Sequence, residues 1–338
     1  MPVGKVVEQT KQNGGNDSWV YLLNSPPKEF SNENWSVLDE GIYNADYRNS
    51  SLARYYEGGF ALSIQAPCFN TLVSAENYTR RLPSMNANLQ KYIDYVVKEV
   101  RLLKQSLPIG CQVKYLHWFG DLVRQLTPAA QTQVMYYLGR EFKLNFGADA
   151  RHVIELDARP DSEEALALIK GLGFNIICIN DPGEYAQSCP IEELKDWLQT
   201  IRAFDFRAVY LRLKVSPATY PTLSQHLEEI LTERPQGILL SSHKPEFAST
   251  PGLEAALKDF KRRIKSASFI PITQDFFALP WTGLISQGVS CLHGVGLGAF
   301  SYTPHYQLRN ATQLDDYYKI LDKSELPARA IRYTQTQL

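Results

Sequence analysis

Short apolar runs alternate with longer segments of helical periodicity along most of this chain. The run FALSI at residues 60–64 precedes LQKYIDYVVKEVRLLKQ, in which apolar side chains recur every three or four residues, as on one face of an α-helix. The alternation returns at intervals of roughly 30 to 40 residues, with further strand-like runs QVKYLHW, HVIEL, NIICI, AVYLRL and GILL. Six or more strand–helix repeats predict a parallel sheet closed, or partly closed, into a barrel; a flat doubly wound sheet fits the alternation nearly as well.

The polar residues at the ends of these strands form the first candidate site. In both architectures, functional side chains lie at the carboxyl ends of the parallel strands. The candidates for acid–base chemistry at this edge are His117, Asp121, Glu155, Asp157, Lys214 and Asp275. Structural roles fit some of them as well: His117 can hydrogen-bond to the backbone at its strand end, and the Glu155 and Asp157 pair can form an internal salt bridge to Arg159.

The balance of charges excludes some classes of partner. The 338 residues carry 35 basic and 36 acidic side chains, a net charge of -1. Nucleic acid and anionic membrane surfaces both need a basic field, so neither is expected as a partner. No apolar run reaches the roughly 18 residues of a membrane span, and the N-terminus has no apolar core of a signal peptide. We therefore expect a cytoplasmic protein.

Cysteines and late glycines are the next candidates for chemistry. The five cysteines, at positions 68, 111, 178, 189 and 291, form no C-x-x-C pair, so neither a disulfide framework nor a structural zinc site is expected, and most of the thiols should be free and buried. The segment HGVGLGAFS contains Gly294, Gly296 and Gly298. These glycines can bring backbone amides close to a ligand, although tight packing of a strand against a helix explains them about as well.

The segment YLHWFGDLVRQL resembles LHWGGGTPTYL of the oxygen-independent coproporphyrinogen III oxidases, a family of radical S-adenosylmethionine enzymes. FGADARHVIELDARP, LIKGLGFNIICIND, QDFFALP and SQGVSCLHGVGLGAFS are similar to further segments of that family, in the same order, and the likeness covers about residues 19–335. It implies a partial parallel (β/α)6 barrel of radical-SAM type with an N-terminal arm and a short C-terminal α+β segment. The implied domains are an arm and lead-in at residues 1–58, the barrel at 59–280, and at 281–338 an extension that packs on the barrel, without the family's C-terminal helical domain.

The chain departs from the family at its chemistry. In the family, a C-x-x-x-C-x-x-C motif after the first strand holds three irons of a [4Fe-4S] cluster through thiolates. Here only Cys68 lies in that segment, and the positions four and seven further on are Leu72 and Ala75; a shift by one residue places Phe69, Val73 and Glu76 in the motif. GGGTP has become FGDLV, and Tyr210 stands near the acidic position of the family's D-L-I-Y-G-L-P strand. The resemblance thus implies that the cluster and S-adenosylmethionine are lost, with Cys68, Gly294, Gly296 and Gly298 as vestigial cofactor-binding positions.

Two functions remain after these departures. The first is a cluster-free pseudoenzyme that acts as a binding or scaffolding subunit, with a small-molecule ligand in the barrel mouth, a protein partner, or both. Its pocket can be of tetrapyrrole or haem type, since haem needs only one or two axial ligands such as Cys68 or His117. The alternative is an enzyme that keeps the barrel and performs non-radical acid–base chemistry on another small molecule of a biosynthetic pathway. No metal site is predicted, and radical chemistry is not expected.

Overall fold

The computed structural model describes residues 53–65, 83–119, 126–147, 150–156, 163–180, 191–216, 219–241, 251–272, 275–280, 289–302 and 306–332. Most of the predicted N-terminal arm lies outside these residues. A short 3-10 helix at Arg54–Tyr56 opens the described chain. The α-helices are α1 Pro83–Ser106, α2 Pro128–Glu141, α3 Glu163–Gly171, α4 Ile191–Ala203, α5 Tyr220–Thr232, α6 Pro251–Ser266 and α7 Leu314–Asp322.

The strands are short, and six of them precede a helix as the periodicity predicts. They are β1 Phe60–Gln65, β2 Gln112–Phe119, β3 Lys143–Leu144, β4 Arg151–Leu156, β5 Ile176–Asn180, β6 Ala208–Lys214, β7 Gly237–Ser241, β8 Ile270–Pro271, β9 Phe276–Ala278, β10 Leu292–Val295, β11 Phe300–Tyr302, β12 Tyr306–Asn310 and β13 Ala328–Arg332. The six repeats are β1–α1, β2–α2, β4–α3, β5–α4, β6–α5 and β7–α6.

The chain divides into two compact units, one containing residues 30–150 and 287–338 and the other residues 151–286. This division does not test the predicted domain boundaries after residues 58 and 280, which stay predictions. In the first unit, β1 lies between β2 and β10 and is parallel to both. Antiparallel pairing then continues from β10 through β11 and β12 to β13. These strands and α7 are the expected C-terminal α+β segment.

The second unit is built around four parallel strands in the order β4, β5, β6 and β7. An antiparallel strand, β9, borders β7, and β8 pairs with β9. All residues of β4 and β5 are buried, as is usual for the strands of a parallel sheet. This agrees with the neighbouring apolar residues Val153 and Ile154 in β4 and with the run at residues 176–179 in β5, where apolar and polar residues do not alternate.

Local sequence signals account for the helix positions. Thr127 caps α2 by accepting a hydrogen bond from the Ala130 amide at 3.2 Å, and Pro128 occupies the first helical turn. The expected apolar face of α1 is confirmed at Ile93, Val96, Val97, Val100 and Leu103, which are all buried, whereas Leu89, at the start of this face, is half-buried.

The lead-in to β1 is anchored by an aromatic contact. The Tyr56 hydroxyl lies 2.9 Å from Nε2 of His293 on β10, and the two rings stack at 5.9 Å between centroids. Burial lowers the pKa of His293 to about 3, so this imidazole is neutral at physiological pH. A neutral ring can occupy the apolar core without an unpaired charge.

One glycine sets the close approach of two elements in the first unit. Gly296, just after β10, has φ of +107°, and a Cβ on it would lie 2.1 Å from the Gln65 carbonyl oxygen at the end of β1. Such a distance is far inside van der Waals contact, and the backbone conformation is one that L side chains rarely adopt. A side chain at this position would push the loop after β10 away from β1.

We predict opposite effects for two glycine-to-alanine substitutions. Gly296→Ala should lower the free energy of unfolding by about 3 kcal/mol, since it adds both strain and a clash. Gly139→Ala, in α2 with open space around its Cα, should raise stability by about 0.5–1 kcal/mol because alanine has the higher helix propensity. Urea unfolding of the two variants measures the difference. A Gly296→Ala protein as stable as the wild type would show that the close approach is not a constraint.

Candidate functional site

The described residues include part of the predicted site. Glu155, His117 and Asp275 are described in full, and only the backbone of Lys214 is. Cys68, Asp121 and Asp157 lie outside the described residues, as does Arg159. The roles assigned to these residues from the sequence stay predictions.

His117 lies in the core of the first unit. It is on β2, in register with Ser63 of β1, and its side chain has no solvent exposure. A histidine this deeply enclosed can act on a ligand only where a cavity reaches it. Its surroundings therefore resemble those of a core side chain more than those of a solvent-accessible acid or base.

Three polar side chains converge in the second unit, at the carboxyl ends of adjacent strands. Glu155 of β4 is 1% exposed, and its carboxylate accepts hydrogen bonds from both terminal nitrogens of Arg212 on β6, at 2.5 and 3.2 Å. Asn180 at the end of β5 donates to the same carboxylate at 3.2 Å. A bidentate arginine supplies both charge and fixed geometry, so the Glu155 carboxylate is already neutralised within the protein.

Strand register explains this convergence. Cys178 lies between Glu155 and Tyr210 across the three strands, and Asn180 and Arg212 are the next residues of β5 and β6 on the same face. The sequence does not predict the role of Arg212. Its position two residues before Lys214 on the same strand does not indicate which carboxylate it binds. The pairing depends on which strands are neighbours and in what register.

Tyr210 of β6 carries a buried hydroxyl group and is in register, through Cys178 of β5, with Glu155 of β4. Tyr210 is fully buried, and its hydroxyl makes no hydrogen bond within the described part of the chain. Its ring packs edge-on against Phe276 at 5.5 Å, above Gly237, where a Cβ would come within 2.8 Å of the ring. Burial raises the pKa of Tyr210, so the phenol stays protonated. It can donate a hydrogen bond, but it is not a base.

Asp275 has a different environment from Glu155. Its carboxylate forms an ion pair with Lys261 of α6 at 2.8 Å, and 42% of its side chain is exposed. Its carbonyl oxygen accepts a hydrogen bond from the Leu240 amide of β7 at 2.8 Å. Asp275 thus lies beside the carboxyl half of β7, just before the antiparallel strand β9, and already has a cationic partner.

The amides of the three late glycines all have partners inside the first unit. Gly294 donates to the Ser301 hydroxyl at 2.9 Å, Gly296 to the Glu99 carboxylate at 2.9 Å, and Gly298 to the Ala311 carbonyl at 2.9 Å. An amide that is engaged in this way cannot also bind an anion without breaking its bond. The geometry agrees with the packing role considered for these glycines, and their part in cofactor binding stays a prediction.

Thiols are dispersed among the described elements. Cys111, Cys178 and Cys291 are buried, as expected, and none of the three forms a disulfide within the described residues; the first precedes β2, the second lies within β5 and the third precedes β10. Cys68 and Cys189 lie outside the described residues. Among the residues that the structure describes, no group of three His, Cys, Asp or Glu side chains is arranged to hold a metal ion.

Similar proteins point to one family. No protein-family model matches the chain. Oxygen-independent coproporphyrinogen III oxidase of Pseudomonas aeruginosa is 22% identical over 277 residues, which cover 70% of this chain and 60% of the relative. Anaerobic coproporphyrinogen III oxidase 1 of Cereibacter sphaeroides is 23% identical over 291 residues (74% and 64%), and the Escherichia coli oxidase is 22% identical over 312 residues (81% and 68%). The chain thus spans less than two thirds of the first two relatives.

The solved structure of the Escherichia coli oxidase, described as a radical SAM enzyme, has the same fold. Its TM-score is 0.66 at 18% sequence identity, and the match covers 90% of this chain and 79% of that chain. The predicted fold class is confirmed by this likeness. A search of the described residues for a helix long and apolar enough to cross a membrane finds none.

We predict that Arg212 stabilises the second unit through Glu155. Arg212→Met leaves a carboxylate that is 1% exposed without its cation, which should cost about 3 kcal/mol of unfolding free energy. The double variant Glu155→Gln/Arg212→Met should regain more than half of that loss, because both buried charges are then gone. Urea unfolding of both variants gives the values.

The exposed ion pair between Lys98 and Asp322, with side chains 38% and 57% exposed, provides the control. Lys98→Met should change stability by at most about 0.5 kcal/mol. If Arg212→Met lowered the free energy of unfolding no more than Lys98→Met does, the Glu155–Arg212 ion pair would make no measurable contribution to stability.

Proposed function

We propose that this chain, a coproporphyrinogen III oxidase-like member of the radical S-adenosylmethionine superfamily, is a cluster-free homologue that acts as a binding or scaffolding subunit. The observation that carries the proposal is the set of sulfur donors. A [4Fe-4S] cluster of the radical type needs three thiolates close together, with one iron left open. Only Cys68 lies in the segment after β1, and Cys111, Cys178 and Cys291 belong to three separate strands or strand starts. This donor set does not fit the cluster.

The polar groups of the second unit support the same conclusion. The Glu155 carboxylate is bound bidentately by Arg212 at 2.5 and 3.2 Å and by Asn180. Resemblance to the family places Glu155 within a retained segment, but a carboxylate neutralised by an internal arginine has little charge left to bind the ammonium group of a cosubstrate. We therefore derive no step through S-adenosylmethionine.

The acid–base alternative has less support. Of the predicted acid–base residues whose side chains are described, Glu155 and Asp275 each bind a cation, and His117 is fully buried. A general base needs an accessible lone pair within reach of its substrate. These contacts suit a role in holding the fold or a ligand better than a role in moving protons.

Iron and sulfide analysis tests the proposal directly. Protein purified and reconstituted without oxygen should hold well under one iron per chain, against about four for a [4Fe-4S] cluster, and should not cleave S-adenosylmethionine under reducing conditions. The double variant Leu72→Cys/Ala75→Cys restores the C-x-x-x-C-x-x-C spacing from Cys68 and serves as the control for reconstitution. A wild-type protein with about four irons per chain would refute the proposal.

The ligand is proposed to be of tetrapyrrole type, because coproporphyrinogen is the compound named for the relatives. Titration with micromolar haem and with coproporphyrin III should shift the Soret band and raise the melting temperature. His117→Ala should weaken haem binding if His117 is an axial ligand, whereas His226→Ala, on the exposed side of α5, should not. Unchanged spectra and melting temperatures with both compounds would refute the tetrapyrrole ligand and leave only the scaffolding role.

A further inference from the structure

A buried carboxyl group in the first unit has no part in the proposed function. Glu99 of α1 is 2% exposed. Its Oε2 accepts hydrogen bonds from the Gly296 amide at 2.9 Å and from the Tyr317 hydroxyl of α7 at 2.6 Å, and its Oε1 accepts from the Asn310 side chain of β12 at 2.6 Å. One carboxyl group therefore joins a helix, a glycine loop, a strand and a second helix. We call Glu99, Tyr92, Gly296, Asn310 and Tyr317 the Glu99 network.

The Glu99 network reaches the carboxyl end of β1 through Tyr92. The Tyr92 hydroxyl donates to the Gln65 carbonyl at 2.6 Å and accepts from the Leu297 amide at 2.9 Å. Gly296 itself lies so close to Gln65 that no Cβ fits between them. Since Gln65 is the last residue of β1, the position of the glycine loop determines where that strand ends, three residues before Cys68.

The surroundings of Glu99 are polar, and among the described residues no cation is in contact with its carboxyl group. Tyr92 faces it from its own helix, Tyr317 from α7, Asn310 from β12 and a backbone amide from the loop. The neighbouring Lys98 binds Asp322 at the surface instead, at 3.1 Å. Glu99 thus lacks the compensation that Arg212 gives to Glu155.

Because Glu99 is buried without a contacting cation among the described residues, its pKa is raised. Burial raises the pKa of the Glu99 carboxyl to about 7, against the opposing effect of its three hydrogen-bond donors. Of these donors only the Tyr317 hydroxyl can also accept, so the protonated acid can keep its bond to Tyr317 by donating. Because the pKa is higher in the closed network than in an open, solvated one, opening becomes easier as pH rises through 7.

We propose that Glu99 positions the carboxyl end of β1 through the glycine loop, and that this positioning loosens when Glu99 ionises. The device holds the loop after β10 against Gln65 while the acid is protonated. When the carboxylate forms, local opening exposes it to water, and the link through Tyr92 from Leu297 to Gln65 loosens with it. Neither a bound cluster nor a bound tetrapyrrole is needed for this device.

The test measures local opening in the intact protein. Amide hydrogen exchange at Gly296, corrected for the pH dependence of chemical exchange, should show an opening constant that rises about tenfold between pH 6 and pH 8, as linkage requires for a pKa near 7 that falls to its ordinary value on opening. In Glu99→Gln the rise should vanish. Asp94→Asn, which removes an exposed acid from the same helix, should keep the wild-type slope.

Two measurements keep the proposal falsifiable if Glu99→Gln does not fold. In the wild type, the carboxyl carbon of Glu99 should titrate with a midpoint near pH 7, and the carbonyl carbon of Gln65 should shift with the same midpoint. Tyr92→Phe should leave the first titration in place and weaken the second, because it removes the hydroxyl that joins the loop to β1. A Glu99 carboxyl group that is already ionised at pH 5, or an opening constant that does not change with pH, would overturn the inference.

Discussion

The first unit depends on the close approach of Gly296 to the end of β1. The backbone of the glycine loop passes within a distance of Gln65 that excludes any side chain, and Tyr92 bridges the two segments through its hydroxyl. The other contacts of the loop follow from this arrangement, since its amides must find acceptors once water is excluded. They do so at Ser301, Glu99 and Ala311.

Glu155 and Glu99 are both buried carboxyl groups, and the protein compensates the cost of burying their charge in two different ways. Glu155 is balanced by a bidentate arginine, which makes the pair rigid and neutral. Within the described part of the chain, the hydrogen-bond donors to Glu99 are all neutral, and burial raises the pKa of its carboxyl group. The raised pKa makes the Glu99 arrangement sensitive to pH near neutrality.

The likeness to the coproporphyrinogen III oxidases combines a shared fold with a different number of cysteines after β1. Six strand–helix repeats place the strand ends where such proteins carry their functional residues, and the Escherichia coli enzyme has the same fold at a TM-score of 0.66. The segment after β1, by contrast, has one cysteine in place of three. Fold and reaction are separable because packing depends on the apolar faces of strands and helices, whereas the reaction depends on a few ligands.

The sequence by itself determined the six strand–helix repeats and the apolar face of α1, because these depend on residues close together in the chain. It also determined the number of cysteines near β1. Only the tertiary structure decided that Arg212 binds Glu155, since this requires the register of β4, β5 and β6. The buried position of Glu99 likewise needed the fold, although its spacing from Tyr92, Val96 and Leu103 placed it within the apolar stripe of the helix. Its partners come from segments about 200 residues away, and no local pattern in a sequence records contacts of that kind.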